Sequence, residues 1–229
     1  LIRWDHPQQG IIPPSEFIPI AEESNLIIQL GEMVINQALT QTREWIDQDL
    51  TPVPVAVNVS GKHLISDELV PFIKQQLMLF SIPGSLLEIE ITEGVLIEDI
   101  ESCINVLEEL KALDISISID DFGTGYSSLN YLKRLPLDIL KIDQSFVEEC
   151  HRKDEDTEIC ATIINLAKNL NLNTIAEGVE TEGQLNTLLQ LGCEVFQGYY
   201  FYKPLAANKI SALLTLTNPT DRDENPRLN

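Results

Sequence analysis

Apolar and polar residues alternate in several short segments of this chain, which is the pattern of strands with two different faces. Six segments share short length and a high content of β-branched residues: 53–59, 87–92, 115–120, 137–143, 173–177 and 194–199. The first three show the period-two alternation most clearly, and the last three are shorter apolar runs. These features predict six strands.

Between these segments, apolar residues recur every three or four positions, which predicts amphipathic helices. The predicted buried stripes are Leu30, Val34, Ala38 and Trp45; Leu69, Ile73, Gln76, Leu77 and Phe80; Ile100, Ile104, Leu107 and Leu110; Ile159, Ile163, Leu166 and Leu170; and Leu185, Leu188 and Leu189. We expect Ser66 to cap the second helix, Thr181 to cap the fifth, and Gly192 to end the fifth. A last helix is predicted at about 208–216, before a polar tail at 217–229 that we expect to be disordered.

Strands that alternate with helices indicate parallel βαβ units. Residues 1–4 resemble the end of a further strand, and one more before it would give the eight strands of a (β/α)8 TIM-type barrel. A doubly wound open sheet is the alternative, although no glycine-rich phosphate fingerprint opens any helix. Since the chain starts at Leu1 without a Met, we expect an N-terminally truncated barrel domain at 1–216 of a longer protein.

The charge of the chain limits its partners. Acidic residues outnumber basic ones by 36 to 15, for a net charge of −21. Such a surface repels nucleic acid polymers and anionic lipids, which bind cationic proteins. An anionic substrate would therefore need metal ions or a locally basic pocket.

The four cysteines, Cys103, Cys150, Cys160 and Cys193, form no C-x-x-C pair and are expected to be reduced thiols. The sequence shows no signal peptide and no apolar run of transmembrane length. We therefore expect a cytoplasmic domain, in a parent protein that can still be membrane-anchored.

The alternation of apolar and polar side chains along the strands predicts the position of the active site. Asn58, Glu90 and Asp120 lie on the polar faces of their strands, each near the carboxyl end, where barrel enzymes place their sites. Three residues occupy equivalent positions at the ends of the later strands: Lys141, Glu177 and Gln197. Each alone could be a turn former or a solvated side chain, but six polar side chains at six buried strands would be costly to desolvate for structure alone.

Oxygen ligands without His or Cys suit a hard cation such as Mg²⁺ or Mn²⁺. The adjacent carboxylates of Asp120 and Asp121 can bridge two ions, and like-charge repulsion should raise the pKa of one of them. Two close ions favour in-line phosphoryl displacement, in which Lys141 could orient water or neutralise phosphate charge. The three histidines have no partner at a strand end, so zinc or histidine acid–base chemistry has little support.

The chain resembles the EAL family of bacterial cyclic-di-GMP phosphodiesterases from Leu1 to about Leu205. The resemblance rests on an ordered set of motifs: LIRW at 1–4, PSEFIPIA at 14–21, NVS at 58–60, EITE at 90–93, DDFGTGYSSL at 120–129, LKIDQSFV at 140–147, AEGVET at 176–181, QGY at 197–199 and KPL at 203–205. The reaction it implies is hydrolysis of cyclic di-GMP to linear pGpG, with two ions of Mg²⁺ or Mn²⁺.

The resemblance also implies roles for individual residues. The first metal would be bound by Asn58, Glu90 and Asp120, and the second by Asp120 and Asp121. Lys141 would contact the nucleophilic water and Glu177 would position or deprotonate it. Arg3 would hold a substrate phosphate, and Glu180 and Gln197 would support metal or substrate. Glu93 and the loop at 122–128 would couple metal binding to formation of a homodimer.

The resemblance is incomplete at the amino terminus. The family's Glu-Ala-Leu motif would end at Leu1, so its Glu would lie two residues before Leu1. That Glu is a first-metal ligand in the family, so we expect the chain as written to be impaired in metal binding and activity. An upstream sensory or GGDEF domain is implied in the parent protein. The alternatives to an enzyme are an inactive cyclic-di-GMP receptor and a protein-binding regulatory barrel, but the ligand set within the chain is intact.

Overall fold

The structure is a computed structural model that describes residues 2–97, 100–125 and 129–217. The strands within these residues are β1 (Trp4–His6), β2 (Gly10–Ile12), β3 (Val55–Asn58), β4 (Leu87–Thr92), β5 (Ser116–Phe122), β6 (Ile139–Ile142), β7 (Asn173–Ala176) and β8 (Val195–Phe196). The helices are α1 (Pro14–Glu23), α2 (Leu26–Asp47), α3 (Gly61–Leu64), α4 (Leu69–Phe80), α5 (Ile100–Lys111), α6 (Leu129–Leu132), α7 (Gln144–Val147), α8 (Asp154–Asn169), α9 (Glu182–Leu191) and α10 (Ala207–Thr217). Short 3₁₀ helices at Gly84–Leu86 and Glu93–Ile97 flank β4.

In the described residues, β3 to β8 form one curled parallel sheet, the main sheet, in which each strand pairs with the next strand of the chain. A doubly wound sheet would reverse its strand order at a switch point, and this sheet has no reversal over its described strands. The fold is therefore the predicted TIM-type α/β barrel architecture. All six predicted strand segments contain a strand of this sheet.

The amino-terminal segment differs from its prediction. Residues 1–4 were expected to end a barrel strand, but Leu1 lies outside the described residues and Trp4 begins β1, which pairs antiparallel with β2. Gly10 has a φ of +75°, a conformation that glycine adopts without strain, where the tight turn enters β2. The indole of Trp4 packs edge-on against Phe17, 6.0 Å away between ring centroids. This hairpin is separate from the main sheet in the described residues.

The apolar faces of the strands form the core, as their phase predicts. Ile89 and Ile91 of β4 and Ile117 and Ile119 of β5 are completely buried between the sheet and the helices. Burying each such side chain contributes about 1.5–3 kcal/mol. The opposite, polar faces of the same strands are thereby turned toward the barrel axis.

Two helices, α8 and α2, bury a different stripe from the one predicted, and in α9 the predicted Leu189 is exposed while Gln184 is buried. Helix α8 buries Cys160, Ile163, Ile164 and Ala167, whereas Ile159 of the predicted stripe remains exposed. In α2 the most buried residues are Ile27, Ile35, Leu39, Thr42 and Trp45, while the predicted Leu30, Val34 and Ala38 are half-buried. Both stretches are apolar enough for two neighbouring stripes, so helical periodicity alone does not choose between them.

The predicted helix ends are confirmed for α9 and wrong for α4. Thr181 and Gln184 form a capping box at the start of α9, and Gly192 ends it with a φ of +88°. Ser66 does not cap α4, which begins at Leu69, because its hydroxyl instead donates to the carbonyl of His63 at the end of α3.

The last helix, α10, packs beside α2. The indole nitrogen of Trp45 donates to the hydroxyl of Ser211 over 2.9 Å, across 166 residues of sequence. The tail predicted at 217–229 lies outside the described residues apart from Thr217, which ends α10. Within the described residues, none of the helices combines the length and apolar character that a membrane span requires.

His63 is a buried imidazole at the point where α3 meets α2. Its side chain is inaccessible to solvent, and neither ring nitrogen has a hydrogen-bond partner in the described residues. Gly31 of α2 lies directly against Nδ1, so that a Cβ at this position would overlap the ring. Burial lowers the pKa of His63 from its ordinary value of 6.5.

The free energy of unfolding should therefore depend on pH through His63. Below pH 6.5 the unfolded chain takes up a proton that the folded chain does not bind until its lower pKa, so stability falls as the pH decreases through that window. Urea titrations between about pH 8 and pH 5 measure this loss. The variant His63→Leu should lose much of it, whereas the control His6→Leu, in the β1–β2 hairpin, should retain it. Equal pH dependence in His63→Leu and the wild type would contradict this explanation.

Candidate active site

Polar side chains from five neighbouring strands meet at the carboxyl edge of the main sheet. They come from the last residue of β3, the inner face of β4, the end of β5, the middle of β6 and the residue after β7: Asn58, Glu90, Asp120 with Asp121, Lys141 and Glu177. Because neighbouring strands are parallel and consecutive, their carboxyl ends lie side by side. Of the residues predicted from strand phase, only Gln197 is missing from this contact set in the described structure.

Lys141 connects the carboxylates of three strands. Its ammonium lies 2.7 Å from Glu90, 2.9 Å from Asp120 and 2.7 Å from Glu177, in each case measured from Nζ to a carboxylate oxygen. A lysine ammonium has three N–H donors, so three carboxylates can satisfy it completely. Only 3% of the residue is exposed, which makes this ion-pair network almost fully desolvated.

The network keeps Lys141 charged. Burial by itself lowers the pKa of Lys141, but the charges of Glu90 and Glu177 and their hydrogen bonds raise it well above its ordinary value of 10.5. The ammonium is thus a permanent positive charge at neutral pH. It is unsuited to accepting a proton.

Both carboxylate oxygens of Glu90 have a partner. Oε1 pairs with Lys141, and Oε2 accepts a hydrogen bond of 2.6 Å from the side-chain amide of Asn58. Asn58 and Glu90 are also register partners in the β3–β4 ladder. Since the amide nitrogen of Asn58 faces Glu90, its amide oxygen is the atom that can bind a cation.

A β-bulge brings the two adjacent aspartates to the same site. In a regular strand, successive side chains point to opposite faces. The β5–β6 register shifts between Ile119 and Phe122, and Asp121 has a φ of +53°. Carboxylate oxygens of Asp120, Asp121 and Glu177 consequently lie within 4.8 Å of one another.

These three carboxylates fit a divalent cation. Their oxygens are hard ligands of the kind that Mg²⁺ and Mn²⁺ prefer, and the cluster is close enough for one ion to touch all three. Burial first, then the charge of Asp120, raises the pKa of Asp121, in the direction expected for the adjacent pair. Burial also raises the pKa of Glu177, against the opposing effect of Lys141.

The balance of charges in the site also favours a bound cation. We call the four carboxylates of Glu90, Asp120, Asp121 and Glu177 the acidic cluster. When all four are ionised, the single ammonium of Lys141 leaves an excess of three negative charges. Buried like charges are unfavourable unless cations or protons compensate them, so the acidic cluster favours cation binding.

Asp143 is a site residue that the sequence analysis missed. Its carboxylate lies close enough to Asp121 for its charge to raise the pKa of that carboxyl. It also caps α7, accepting the backbone N–H of Ser145 over 3.0 Å. The available signal was its position, since Asp143 follows β6 directly, just as Glu177 follows β7.

A second missed carboxylate lies one layer deeper in the barrel. Glu88, two residues before Glu90 on the same face of β4, accepts a hydrogen bond of 2.6 Å from the hydroxyl of Ser118. Burial raises the pKa of Glu88, and the Ser118 hydrogen bond opposes the shift. Glu88 and Ser118 thus form a buried polar layer below Glu90 and Asp120.

Glu93 lies beside the site, at the start of the 3₁₀ helix after β4. It is buried, and its Oε2 accepts the backbone N–H of Gly123 over 3.1 Å. Gly125 packs against the same carboxylate, at a distance where a Cβ would come within 3.1 Å of it. The loop expected at 122–128 is described only to Gly125, and Tyr126, Ser127 and Ser128 lie outside the described residues.

Three predicted site residues are not brought into the cluster. Arg3 is exposed and donates to the carbonyl of Ile2, Glu180 is exposed, and Gln197 is exposed. Among the described residues, none of the three has a hydrogen bond or ion pair to Lys141 or to the acidic cluster. Their predicted roles remain predictions.

Comparison with known proteins gives a family match. Residues 1–204 match the family described as EAL domain. The chain is 43% identical over 212 residues to the bifunctional diguanylate cyclase/cyclic di-GMP phosphodiesterase MucR of Pseudomonas aeruginosa, covering 93% of this chain and 31% of MucR. It is 39% identical over 207 residues to the cyclic di-GMP phosphodiesterase PdeR of Escherichia coli, covering 90% of this chain and 31% of PdeR.

A solved structure described as the PaMucR phosphodiesterase in complex with c-di-GMP is also similar. It superposes with a TM-score of 0.87 at 43% identity, over 92% of this chain and 85% of that chain. The present chain therefore spans most of that solved chain, but only about a third of the length of the two relatives named above.

Replacing Asp121 should weaken binding of Mn²⁺ or Mg²⁺. Asp121→Asn removes one anionic ligand while keeping size and tolerance of positive φ, and we expect affinity to fall at least about tenfold, since even indirect ligand contacts contribute about 10–100-fold. Calorimetric titration with each ion measures the change without relying on activity. Asp114→Asn is the matched control, because Asp114 also has a positive φ, of 65°, but is not part of the acidic cluster. Unchanged affinity in Asp121→Asn would exclude Asp121 as a ligand.

Proposed function

This chain belongs to the EAL domain family, and we propose that it hydrolyses one phosphodiester bond of cyclic di-GMP, with Mg²⁺ or Mn²⁺, to give linear pGpG. The observation that carries the proposal is the convergence of Lys141 and the acidic cluster at the carboxyl edge of the main sheet. The carboxyl edge is where barrel enzymes hold their substrates. The names of MucR and PdeR support the same reaction.

In the proposed site, Asp120 and Asp121 would hold the cations, with Asn58 and Glu90 as further oxygen ligands and Glu177 beside them. A divalent cation bound there would lower the pKa of a water molecule and compensate charge on the phosphate. Two ions are part of the proposal, supported by oxygen ligands on either side of Asp120: those of Glu90 and Asn58 on one side and those of Asp121 on the other.

Glu177 is proposed to position the attacking water and to accept its proton. Its carboxylate is held by Lys141 and lies within 4.8 Å of oxygens of Asp120 and Asp121, beside the position where a cation would hold that water. The water oxygen would form a new bond to phosphorus, the bond from phosphorus to the 3′ oxygen would break, and that oxygen would take up a proton from solvent. Lys141 stabilises the negative charge that develops on the phosphoryl oxygens, because it is a fixed cation in a desolvated site.

The remaining roles extend the proposal to residues outside the cluster. Arg3 would bind a substrate phosphate, and Gln197 and Glu180 would support substrate or metal. Glu93, whose carboxylate accepts the backbone N–H of Gly123 just after β5, would link the site to a homodimer interface. A GGDEF or sensory domain in the same protein and a cytoplasmic location, where a second messenger acts, complete the proposal.

The natural full-length protein should convert cyclic di-GMP to pGpG when Mg²⁺ or Mn²⁺ is present. Hydrolysis should stop when the ions are chelated. Chromatography of the product separates pGpG from GMP and from intact substrate. Double replacement Asp120→Asn, Asp121→Asn is the matched negative control. Saturable binding of cyclic di-GMP by folded, metal-loaded protein without pGpG would contradict the enzyme and leave the receptor as the function. If the protein neither binds nor hydrolyses cyclic di-GMP, the remaining function is that of a protein-binding regulatory barrel.

Lys141→Ala should lower kcat much more than it changes KM. A charge that acts on the developing phosphoryl charge contributes in the transition state, and its loss should cost on the order of 10²–10³-fold in rate. Lys111→Ala is the control, since Lys111 also forms an ion pair, 2.7 Å from Asp138, but at the opposite end of β6. If kcat stayed near the wild-type value while KM rose, Lys141 would bind substrate and its proposed role would be wrong.

A further inference from the structure

The buried polar layer of Glu88 and Ser118 lies directly beneath the proposed metal ligands, and the proposed reaction uses neither residue. The hydroxyl of Ser118 in β5 donates to Oε1 of Glu88 in β4 over 2.6 Å. Ser118 is completely buried, and only 8% of Glu88 is exposed. A hydrogen bond in such a desolvated place is costly to break, because water cannot replace the lost partner.

The pairing of β4 with β5 sets Ser118 beside Glu90 rather than beside Glu88. Glu90 is the register partner of Ser118, and Glu88 is the register partner of Ser116. Paired residues of neighbouring strands have their side chains on the same face of the sheet, and the strands lie about 4.8 Å apart. The hydroxyl of Ser118 therefore has two carboxylates within reach, and it donates to the diagonal one.

The same diagonal relation recurs one layer higher, at the cation site. Asp120 lies two residues beyond Ser118, just as Glu90 lies two residues beyond Glu88. There the ammonium of Lys141 bridges the diagonal pair, 2.7 Å from Glu90 and 2.9 Å from Asp120. The hydroxyl of Ser118 thus lies between the two layers, and its direction decides which layer receives its hydrogen.

Glu90 has a limited number of acceptor positions for cations and donors to share. An ionised carboxylate offers about four lone-pair positions. The ammonium of Lys141 uses one on Oε1, and the side-chain amide of Asn58 uses one on Oε2. The remaining positions are those that a cation can use, so a third donor at Glu90 would compete with the metal.

We propose that Glu88 is a positioning residue, whose carboxylate holds the Ser118 hydroxyl away from Glu90 and thereby keeps Glu90 open to a divalent cation. A hydroxyl has one hydrogen to donate, so its bond to Glu88 excludes a bond to Glu90. Glu88 acts through Ser118 and is not itself a ligand. The inference rests on the proposed function, because that proposal places Glu90 among the metal ligands.

This role differs from that of a purely structural hydrogen bond. Glu88→Met and Ser118→Ala remove the same hydrogen bond, so a structural role gives both variants the same effect on the site. In the proposed role the variants differ, because only Glu88→Met leaves a buried hydroxyl that needs a new acceptor. That hydroxyl turns to Glu90, whereas in Ser118→Ala the competing donor is gone.

Calorimetric titration of Mn²⁺ into the natural full-length protein measures this difference without relying on activity. The binding step that is lost in the double variant Asp120→Asn, Asp121→Asn identifies the site. Glu88→Met should weaken that step at least about tenfold, since partners that orient a metal ligand contribute about 10–100-fold. Ser118→Ala should bind Mn²⁺ as the wild type does. Adding Ser118→Ala to Glu88→Met should restore wild-type affinity, because it removes the competing hydroxyl.

Two further variants test the explanation. Glu88→Gln should keep wild-type affinity, because its carboxamide oxygen can still accept the Ser118 hydroxyl. Thr42→Val is the control for stability, since it removes another completely buried hydroxyl, in α2, and should leave Mn²⁺ affinity unchanged. Equal losses in Glu88→Gln and Glu88→Met would assign the effect to the charge of Glu88 and overturn the inference.

Weaker binding in Ser118→Ala, or no recovery in the double variant of Glu88 and Ser118, would also overturn it. If Glu88→Met alone fails to fold, that double variant decides the case by its affinity, because it leaves no unpaired hydroxyl.

Hydrolysis of cyclic di-GMP separates this inference from the proposed function. The expected pattern of Mn²⁺ affinities without pGpG from the wild type would uphold the role of Glu88 and contradict the enzyme. Formation of pGpG with equal Mn²⁺ affinity in the wild type and all variants of Glu88 and Ser118 would uphold the enzyme and overturn the role of Glu88. Absence of Mn²⁺ binding by the folded wild type would overturn both.

Discussion

The buried ammonium of Lys141 is the interaction on which the rest of the site depends. It compensates carboxylates from β4, β5 and the end of β7, within 2.9 Å of each. Removing one partner from a buried ion pair usually costs about 3–5 kcal/mol, because the remaining charge is left without compensation. Here three remaining charges would be affected at once. The lysine therefore fixes the spacing of the strand ends as well as the charge of the site.

The consecutive order of the strands in the main sheet brings the site's side chains together, and the β-bulge in β5 adds Asp121 to them. In a regular strand the side chain of Asp121 would point away from that of Asp120. Asp121 instead has a left-handed backbone conformation, which costs about 1–2 kcal/mol for most residues. Aspartate tolerates this conformation better than most residues, which explains how Asp121 can occupy it. This conformation occurs where the two adjacent carboxylates share a site, and cation binding would compensate their repulsion.

The sequence predicted the parts of the structure that depend on period and spacing. The phase of β3, β4 and β5 placed Asn58, Glu90 and Asp120 on one edge of the sheet, and alternation of strands and helices predicted the barrel. It could not predict the bulge at Asp121, since a register shift depends on the neighbouring strand. The position of Asp143 beside Asp121 also depends on the distance between two strands that are separate in sequence. In α8, the choice of the Cys160 stripe over the Ile159 stripe is made by the contact with α7.

The two sides of the acidic cluster are electrostatically different. On the inner side, Lys141 compensates Glu90 and Glu177, and the Ser118–Glu88 layer closes the barrel below them. On the outer side, burial, Asp120 and Asp143 all raise the pKa of Asp121, and Lys141 opposes them less than any of these. The outer side is therefore where negative charge is least compensated and where a cation gains most. For a chain of net charge −21, long-range attraction of an anionic phosphodiester is unfavourable. Capture of the proposed substrate would then come from short-range contacts, and cations bound at Asp121 would supply them.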